Sequence, residues 1–268
     1  MEKVINNETY GSDFELFLFD TSANEVVNAK PYVKGSKKKP FNFDKSSPYW
    51  CTSLDNISFE GNIAPCTTAD EFDKNIDKVI SYLKSTLPEG IVPIHECAVR
   101  VNPEYLRNKE ARTLGCEPTY NAYTLNMNMP PSGESTNLRT CCTHIHMKYD
   151  NMTFELSAEW VKAMDLFLGL PSLLIEPKNE RREMYGKLGE MRFSENTTTE
   201  YRVLSSFFSA TESLRKWVFN NTLKATQWIN EGNRVTDDMA KNFKQAMSNN
   251  DDFYVKHLIE TFNIPMPQ

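Results

Sequence analysis

The chain has 268 residues, 40% of them hydrophobic, enough to bury a sizeable core. Its net charge of −6 and pI near 5.4 argue against a dedicated DNA-binding surface, which would be basic, and disfavour nucleic acid as a partner. No apolar run approaches the ~20 residues needed to cross a bilayer, so no membrane association is expected; the first seven residues lack the apolar segment of a secretory leader, so a cytoplasmic location is expected.

Six cysteines (Cys51, Cys66, Cys97, Cys116, Cys141 and Cys142) show no C-x-x-C spacing. In a cytoplasmic chain they read as reduced, small core-filling residues. Cys141 and Cys142 are neighbours in an extended stretch and point to opposite faces, with Cys142 on the side of His144.

In chain order, Tyr10–Asp20 is aromatic-rich and bounded by turn formers, and reads as a strand with Asp13 and Glu15 on one face and Phe14, Leu16 and Leu18 on the other. A second extended stretch, Glu25–Val33, leads into the basic loop Gly35–Pro40. Leu54–Asn62 alternates as a strand, with Ser58, Glu60 and Asn62 on its polar side. Thr68-Ala-Asp-Glu71 is a capping box opening a helix whose stripe is Phe72, Ile76, Val79, Ile80 and Leu83. Pro88-Glu-Gly90 ends it and Ile91–Val101 resumes as strand.

Gly115–Tyr123 carries too much turn chemistry for a regular element, Glu117 within it reads equally well as structural or catalytic, and Pro130–Gly133 is a loop. A strand over Leu138–Asp150 and a helix over Ser157–Leu168 follow. Short strands are expected at Gly189–Phe193 and Glu200–Leu204, then helices through Ala210–Phe262 with breaks at Gly232-Asn233 and Asn249–Asp251. Strands drawn from most of the chain, without a regular βαβ repeat, favour an α+β fold with a mainly antiparallel sheet. One domain over 1–268 is the simplest organisation, with a core at about 9–209 and a helical C-terminal layer at 210–268.

The stretch Arg139-Thr-Cys-Cys-Thr-His-Ile-His-Met147 holds two of the four histidines. On a strand, His144 and His146 share a face, about 6–7 Å apart. Such a pair is either a metal site or one exposed and one hydrogen-bonded ring. Carboxylates at the same spacing on other strands (Asp13/Glu15, Glu60, Glu200) favour an oxygen-rich site for Mg²⁺ or Mn²⁺ rather than zinc. Lys37–Lys39, Arg139, Arg181, Arg182, Lys187, Arg192 and Arg202 supply cations, and carboxylate-bound metal facing cations suits phosphoryl transfer. The chain has neither G-x-x-x-x-G-K-[ST] nor G-x-G-x-x-G, which excludes the usual P-loop and Rossmann nucleotide sites.

Asp13 with Glu15–Asp20, His144-Ile-His-Met147 and Glu200-Tyr-Arg202 resemble, in that order, the acidic, histidine and Glu-x-Arg strands of glutamine synthetases. Leu54-Asp-Asn56, Glu60-Gly-Asn62, Gly115-Cys-Glu-Pro118, Asn121-Ala122, Arg181 through Arg192 and Glu200 to Ser205 extend the resemblance, over about Tyr10 to Phe208, to the phage-encoded carboxylate–amine ligases of amidoligase type 2. That resemblance implies a glutamine synthetase-like fold, a curved antiparallel sheet with helices on one side, and a cytoplasmic role in an infected cell. It also implies ATP-dependent amide formation from a small-molecule or peptide carboxylate and an amine, through an acyl phosphate.

Carried over, Asp13, Glu15, Glu60, His144 and Glu200 hold divalent metal. Arg182 and Arg192 stabilise the transferring phosphoryl group, and Arg202 grips a substrate carboxylate, with Arg139 as a second candidate. Lys37, Arg139, His146, Arg181 and Lys187 stand on the nucleotide side. Where relatives have Gly-Gly before the histidines this chain has Cys142-Thr143, which narrows the pocket. Two other readings compete: a non-catalytic homologue acting as a binding module, and a metal-dependent hydrolase built on the histidines. The sequence leaves the oligomeric state open.

Overall fold

The computed structural model describes residues 3–107, 109–112, 119–128, 136–194 and 197–267. In chain order the elements are β1 (Thr9–Asp20), β2 (Glu25–Val27), β3 (Gly35–Ser36), β4 (Lys39–Asn42), β5 (Cys51–Asp55), β6 (Ser58–Asn62), α1 (Ala69–Thr86), β7 (Ile91–Ile94) and β8 (Ala98–Arg100). Next come α2 (Lys109–Arg112), β9 (Thr119–Asn121), β10 (Met127–Asn128), β11 (Leu138–Thr140), β12 (Thr143–Lys148), α3 (Phe154–Met164), α4 (Ser172–Ile175) and α5 (Arg181–Met184). The chain closes with β13 (Glu190–Ser194), β14 (Thr198–Tyr201), α6 (Glu212–Asn230), α7 (Asp237–Asn249) and α8 (Asp252–Thr261).

Twelve strands form one sheet, ordered β10-β9-β13-β14-β12-β1-β6-β5-β3-β4, with β2 and β7 on the C-terminal half of β1. Every pairing in it is antiparallel except β3 with β5, in keeping with the mainly antiparallel sheet expected for the α+β reading. The alternation of β1 sets the layers. Tyr10, Phe14, Leu16 and Leu18 are buried and join Phe59, Ile145, Met147, Met191 and Tyr201 beneath α1, α3 and α6. Gly11, Asp13 and Glu15 project from the opposite face.

The helix α1 begins as its sequence dictates. Thr68 accepts from the Glu71 amide, the Glu71 carboxylate reaches back to the Thr68 amide, and the expected apolar stripe is buried. The C-terminal helices break where the glycine and asparagines predict, Asn250 closing α7 in the left-handed region.

Several expected elements differ. Leu54–Asn62 is a hairpin rather than one strand: Asn56 takes a positive φ of 54°, and the chain reverses between the paired Asp55 and Ser58. Only Glu25–Val27 of the second extended stretch is strand, because Ala29 accepts from both Tyr32 and Val33 and turns the chain. Leu138–Asp150 breaks at Cys141-Cys142. There the Cys141 amide donates to the Cys97 carbonyl, and the Cys142 amide donates to the Glu15 carboxylate instead of a neighbouring strand.

Ile91–Val101 is likewise two strands, β7 and β8, on different partners. The third helix starts earlier than expected, at Phe154 under a Thr153 cap, and Asp165–Gly169 continues it as a wider π turn. Thr119–Asn121 forms a strand despite its turn-forming composition, paired with β10 and β13. Glu117 with Gly115–Pro118, the Pro130–Gly133 loop and Cys116 lie outside the described residues.

Candidate active site

Register builds the site. On β1, Asp13 is opposite His144 of β12 and Asn62 of β6, Glu15 is opposite Glu60, and Gly11 is opposite His146. One strand further out His146 pairs with Glu200, which pairs in turn with Arg192; on the other side Glu60 pairs with Ser53. Residues scattered over nearly 190 positions thus form a continuous polar row across six strands. Cross-strand neighbours lie about 4.5–5.5 Å apart at Cβ, close enough for their side-chain tips to converge.

They do converge. His144 Nδ1 lies 2.7 Å from Asp13 Oδ1 and 3.1 Å from Glu200 Oε1, and His146 Nε2 lies 3.5 Å from the same Asp13 oxygen. Glu200 also receives Arg202, and Arg192 at 3.1 Å. Ligand atoms of Asp13, His146 and Glu200 all fall within 4.8 Å of one another, a spacing that one divalent ion can bridge.

The electrostatics follow from burial and neighbours. Burial alone would raise Asp13, but the two imidazoles outweigh it and hold the carboxyl well below its usual range. Burial and then Asp55 push Glu15 well above its ordinary value, with Lys37 opposing. Burial, with Asp13 and Asp55 adding to it, pushes Glu60 up to about 7. Burial and the Arg202 charge lower His144, whereas Asp13 overcomes burial to raise His146.

Carboxylates with crowded negative neighbours and two imidazoles form a donor set that a divalent cation would relieve. The His144 Nε2 atom is buried without a hydrogen-bond partner, leaving coordination capacity unmet. The residues therefore fit a hard cation such as Mg²⁺ or Mn²⁺.

The cleft over this row has a cavity volume of about 70 Å³ and brings together Asp13, Glu15, Glu60, His144, Lys37, Arg139, Arg192 and Arg202. Lys37 pairs with Asp55 at 2.7 Å, and that carboxylate also accepts from Asn56 at the hairpin turn. Arg139 borders the cleft, but its guanidinium donates to the carbonyls of Ala111, Thr136 and Leu138. Glu200 and His146 do not line the cleft themselves but stand behind it, beside Asp13.

Arg181, Arg182 and Lys187 stand elsewhere. Arg181 is fully buried and donates to the Val203 and Leu204 carbonyls at 2.8 and 2.9 Å, and to Cys142 Sγ at 3.3 Å. Cys142 thus faces the cleft with its thiol engaged and pushed up to about 12 by burial. Arg182 pairs with Glu176 at 2.6 Å on the other side of α5, where Lys187 also lies.

Two cleft residues escaped the sequence reading. Asp55 is buried at the end of β5, a position that only the Leu-Asp-Asn signature could have flagged. Tyr185 lies between the Arg181 and Arg202 guanidinium groups, 5.6 and 5.4 Å from its ring centre, with its hydroxyl buried and unpartnered. Its place in the Arg-Arg-x-x-Tyr run was the available signal.

Beyond His146 the same face continues as a mostly apolar groove of about 360 Å³, walled by Pro48, Tyr49, Pro65 and Thr198. Gly11 opens the way: a Cβ there would stand 3.8 Å from that of His146, and no longer side chain fills the gap.

Residues 126–257, just under half of the chain, are similar to the family model described as Phage phiEco32-like COOH.NH2 ligase-type 2. No curated protein sequence matches the chain. Among solved structures it is similar to a bifunctional glutathione synthetase from Pasteurella multocida, at 9% identity and a TM-score of 0.48 over 82% of this chain. The alignment covers 38% of that chain, so this protein spans well under half the length of that structure. Among the described residues no helix is long and apolar enough to cross a membrane.

Proposed function

We propose that the chain is an ATP-dependent carboxylate–amine ligase of glutamine synthetase-like fold, a single domain working with Mg²⁺ or Mn²⁺ in the cytoplasm of a phage-infected cell. The observation that carries this reading is the meeting of Asp13, His146 and Glu200 within 4.8 Å, beside the Arg192 and Arg202 guanidinium groups. The match of residues 126–257 to a ligase family supports it.

In this reading Asp13, Glu15, Glu60, Glu200 and the two histidines hold divalent metal, which neutralises the phosphate charge of ATP when bound. His146 takes a larger share than the sequence assigned to it, because its Nε2 joins Asp13 and Glu200. Arg202, with Arg139 and Tyr185 behind it, receives the substrate carboxylate. A planar guanidinium orients the two carboxylate oxygens for attack on the terminal phosphate of ATP. Arg192 and Lys37 steady the charge on the transferring phosphoryl group. The amine then displaces phosphate from the acyl phosphate to leave the amide. The arginine-lined cleft suits the carboxylate, and the apolar groove past Gly11 suits the nucleoside end of ATP. Arg181 supports the cleft from beneath through Cys142, while Arg182 and Lys187 lie on the other side of α5, away from the reacting groups.

The test is ADP and phosphate release from ATP with Mg²⁺ across pools of carboxylates and amines, with Glu60→Ala alongside. The expected result is release that needs both a carboxylate and an amine, reduced at least ~100-fold in the variant, the scale of losing one charge-stabilising group. ADP that never appears, equal rates in the two proteins, or tight zinc without ATP binding would overturn the reading.

A further inference from the structure

The short helix α5 separates two cavities. On one side lies the carboxylate–histidine cleft; on the other, the loop from Glu176 to Leu188 faces the junction of α7 and α8 across a cavity of about 720 Å³. Its charged lining is Lys178, Arg182, Lys187 and Lys244 against Glu176, Glu183 and Asp252. Glu176 is 8% exposed and committed to Arg182, which also donates to Ser172 Oγ and the Gly186 carbonyl. Three lysines then face two carboxylates, locally positive in a chain of net charge −6.

Lys178, Lys187 and Lys244 have no carboxylate within 4 Å among the described residues, and Lys244 rests over the Tyr123 ring at 5.1 Å. By contrast, Lys216 on the far surface has two carboxylate partners. Leu173, Pro177, Leu188 and Met247 supply an apolar floor. Lys178, Lys187 and Lys244 are exposed cations at the rim of an apolar floor, which leaves their ammonium groups accessible to a ligand in the cavity. Ammonium groups on flexible stems suit an oxyanion with several charges, because each one can follow a separate oxygen.

We propose that this cavity is a second ligand site, binding a multiply charged oxyanion against Lys178, Lys187 and Lys244, independent of the carboxylate–histidine cleft. The inference rests on the geometry of this cavity and not on the ligase reading.

The experiment is calorimetric titration of the full chain with tripolyphosphate and, separately, with citrate, at low salt and with EDTA so that no metal recruits either anion to the cleft. Binding of at least one is expected, weakened tenfold or more in Lys178→Glu/Lys187→Glu, retained in Lys178→Arg/Lys187→Arg, and changed less than twofold in the cleft variant Glu15→Gln. Preference for one anion assigns the site to phosphate or to carboxylate ligands. Absence of binding by either anion, wild-type affinity in the glutamate variant, or loss in Glu15→Gln with retention in the lysine variants would overturn the proposal. Matching circular dichroism spectra and melting curves separate lost binding from lost folding. Failure here leaves the ADP-release test of the cleft unaffected.

Discussion

Asp165 is fully buried in the π turn after α3, its two oxygens each 2.8 Å from a tyrosine hydroxyl, Tyr123 on one and Tyr201 on the other. Burial pushes its carboxyl up to about 7, against which the two hydroxyls act. A carboxyl raised in the folded chain above its ordinary 3.8 keeps its proton longer when folded than when unfolded. Its stabilising contribution is therefore complete below about pH 4 and drains away as pH climbs toward 7. Asp165→Asn keeps both tyrosine contacts in reach without an ionisable group. Urea unfolding from pH 5 to 7.5 should show wild type losing stability relative to Asp165→Asn by a few kcal/mol at most, at about 1.4 kcal/mol per pKa unit. Parallel pH profiles for the two proteins would refute the assignment.

At the scale of elements, α1 shows how much a four-residue signal can specify. The reciprocal Thr68–Glu71 bonds satisfy amides that the first helical turn leaves unpaired, and the helix lays Phe72, Ile76 and Val79 beneath the sheet. Thr68→Ala should cost about 1 kcal/mol in chemical unfolding and Thr68→Ser much less, since the serine hydroxyl restores the acceptor. An alanine variant as stable as wild type would show that the cap is idle. The elements that sequence reading misjudged share a cause. Asn56 reverses the chain through a left-handed conformation that the alternating pattern of Leu54–Asn62 conceals. The strand through Cys141-Cys142 breaks because Glu15, 127 residues earlier, takes the Cys142 amide. Local pattern cannot report a partner supplied by another part of the chain.

Across the whole molecule, the C-terminal helices are integral to the strands they cover. Thr226 of α6 receives both the Tyr10 hydroxyl of β1 and the Trp160 indole of α3, and Asn230 binds the backbone of Val4 and Ile5. Tyr10 and Phe219 meet edge to face at 5.5 Å. A chain ending at Ser209 would bare the apolar side of β1, β12 and β14. It is expected to be insoluble or to bind a hydrophobic dye, and a soluble, cooperatively melting truncation would contradict this. Most of the cleft was legible from the i, i+2 spacing of polar residues on strands, because that spacing alone puts Asp13/Glu15 and His144/His146 on one face. What stayed hidden was set by tertiary placement: Arg181 and Arg182 are adjacent in sequence, yet α5 turns one into the protein interior and the other toward the second cavity.

Glu200 is occupied before any ligand arrives, shared among His144, Arg192 and Arg202. On the proposed function, a cation that takes Glu200 would loosen its hold on Arg202, so cation uptake and anion affinity would be two ends of one exchange.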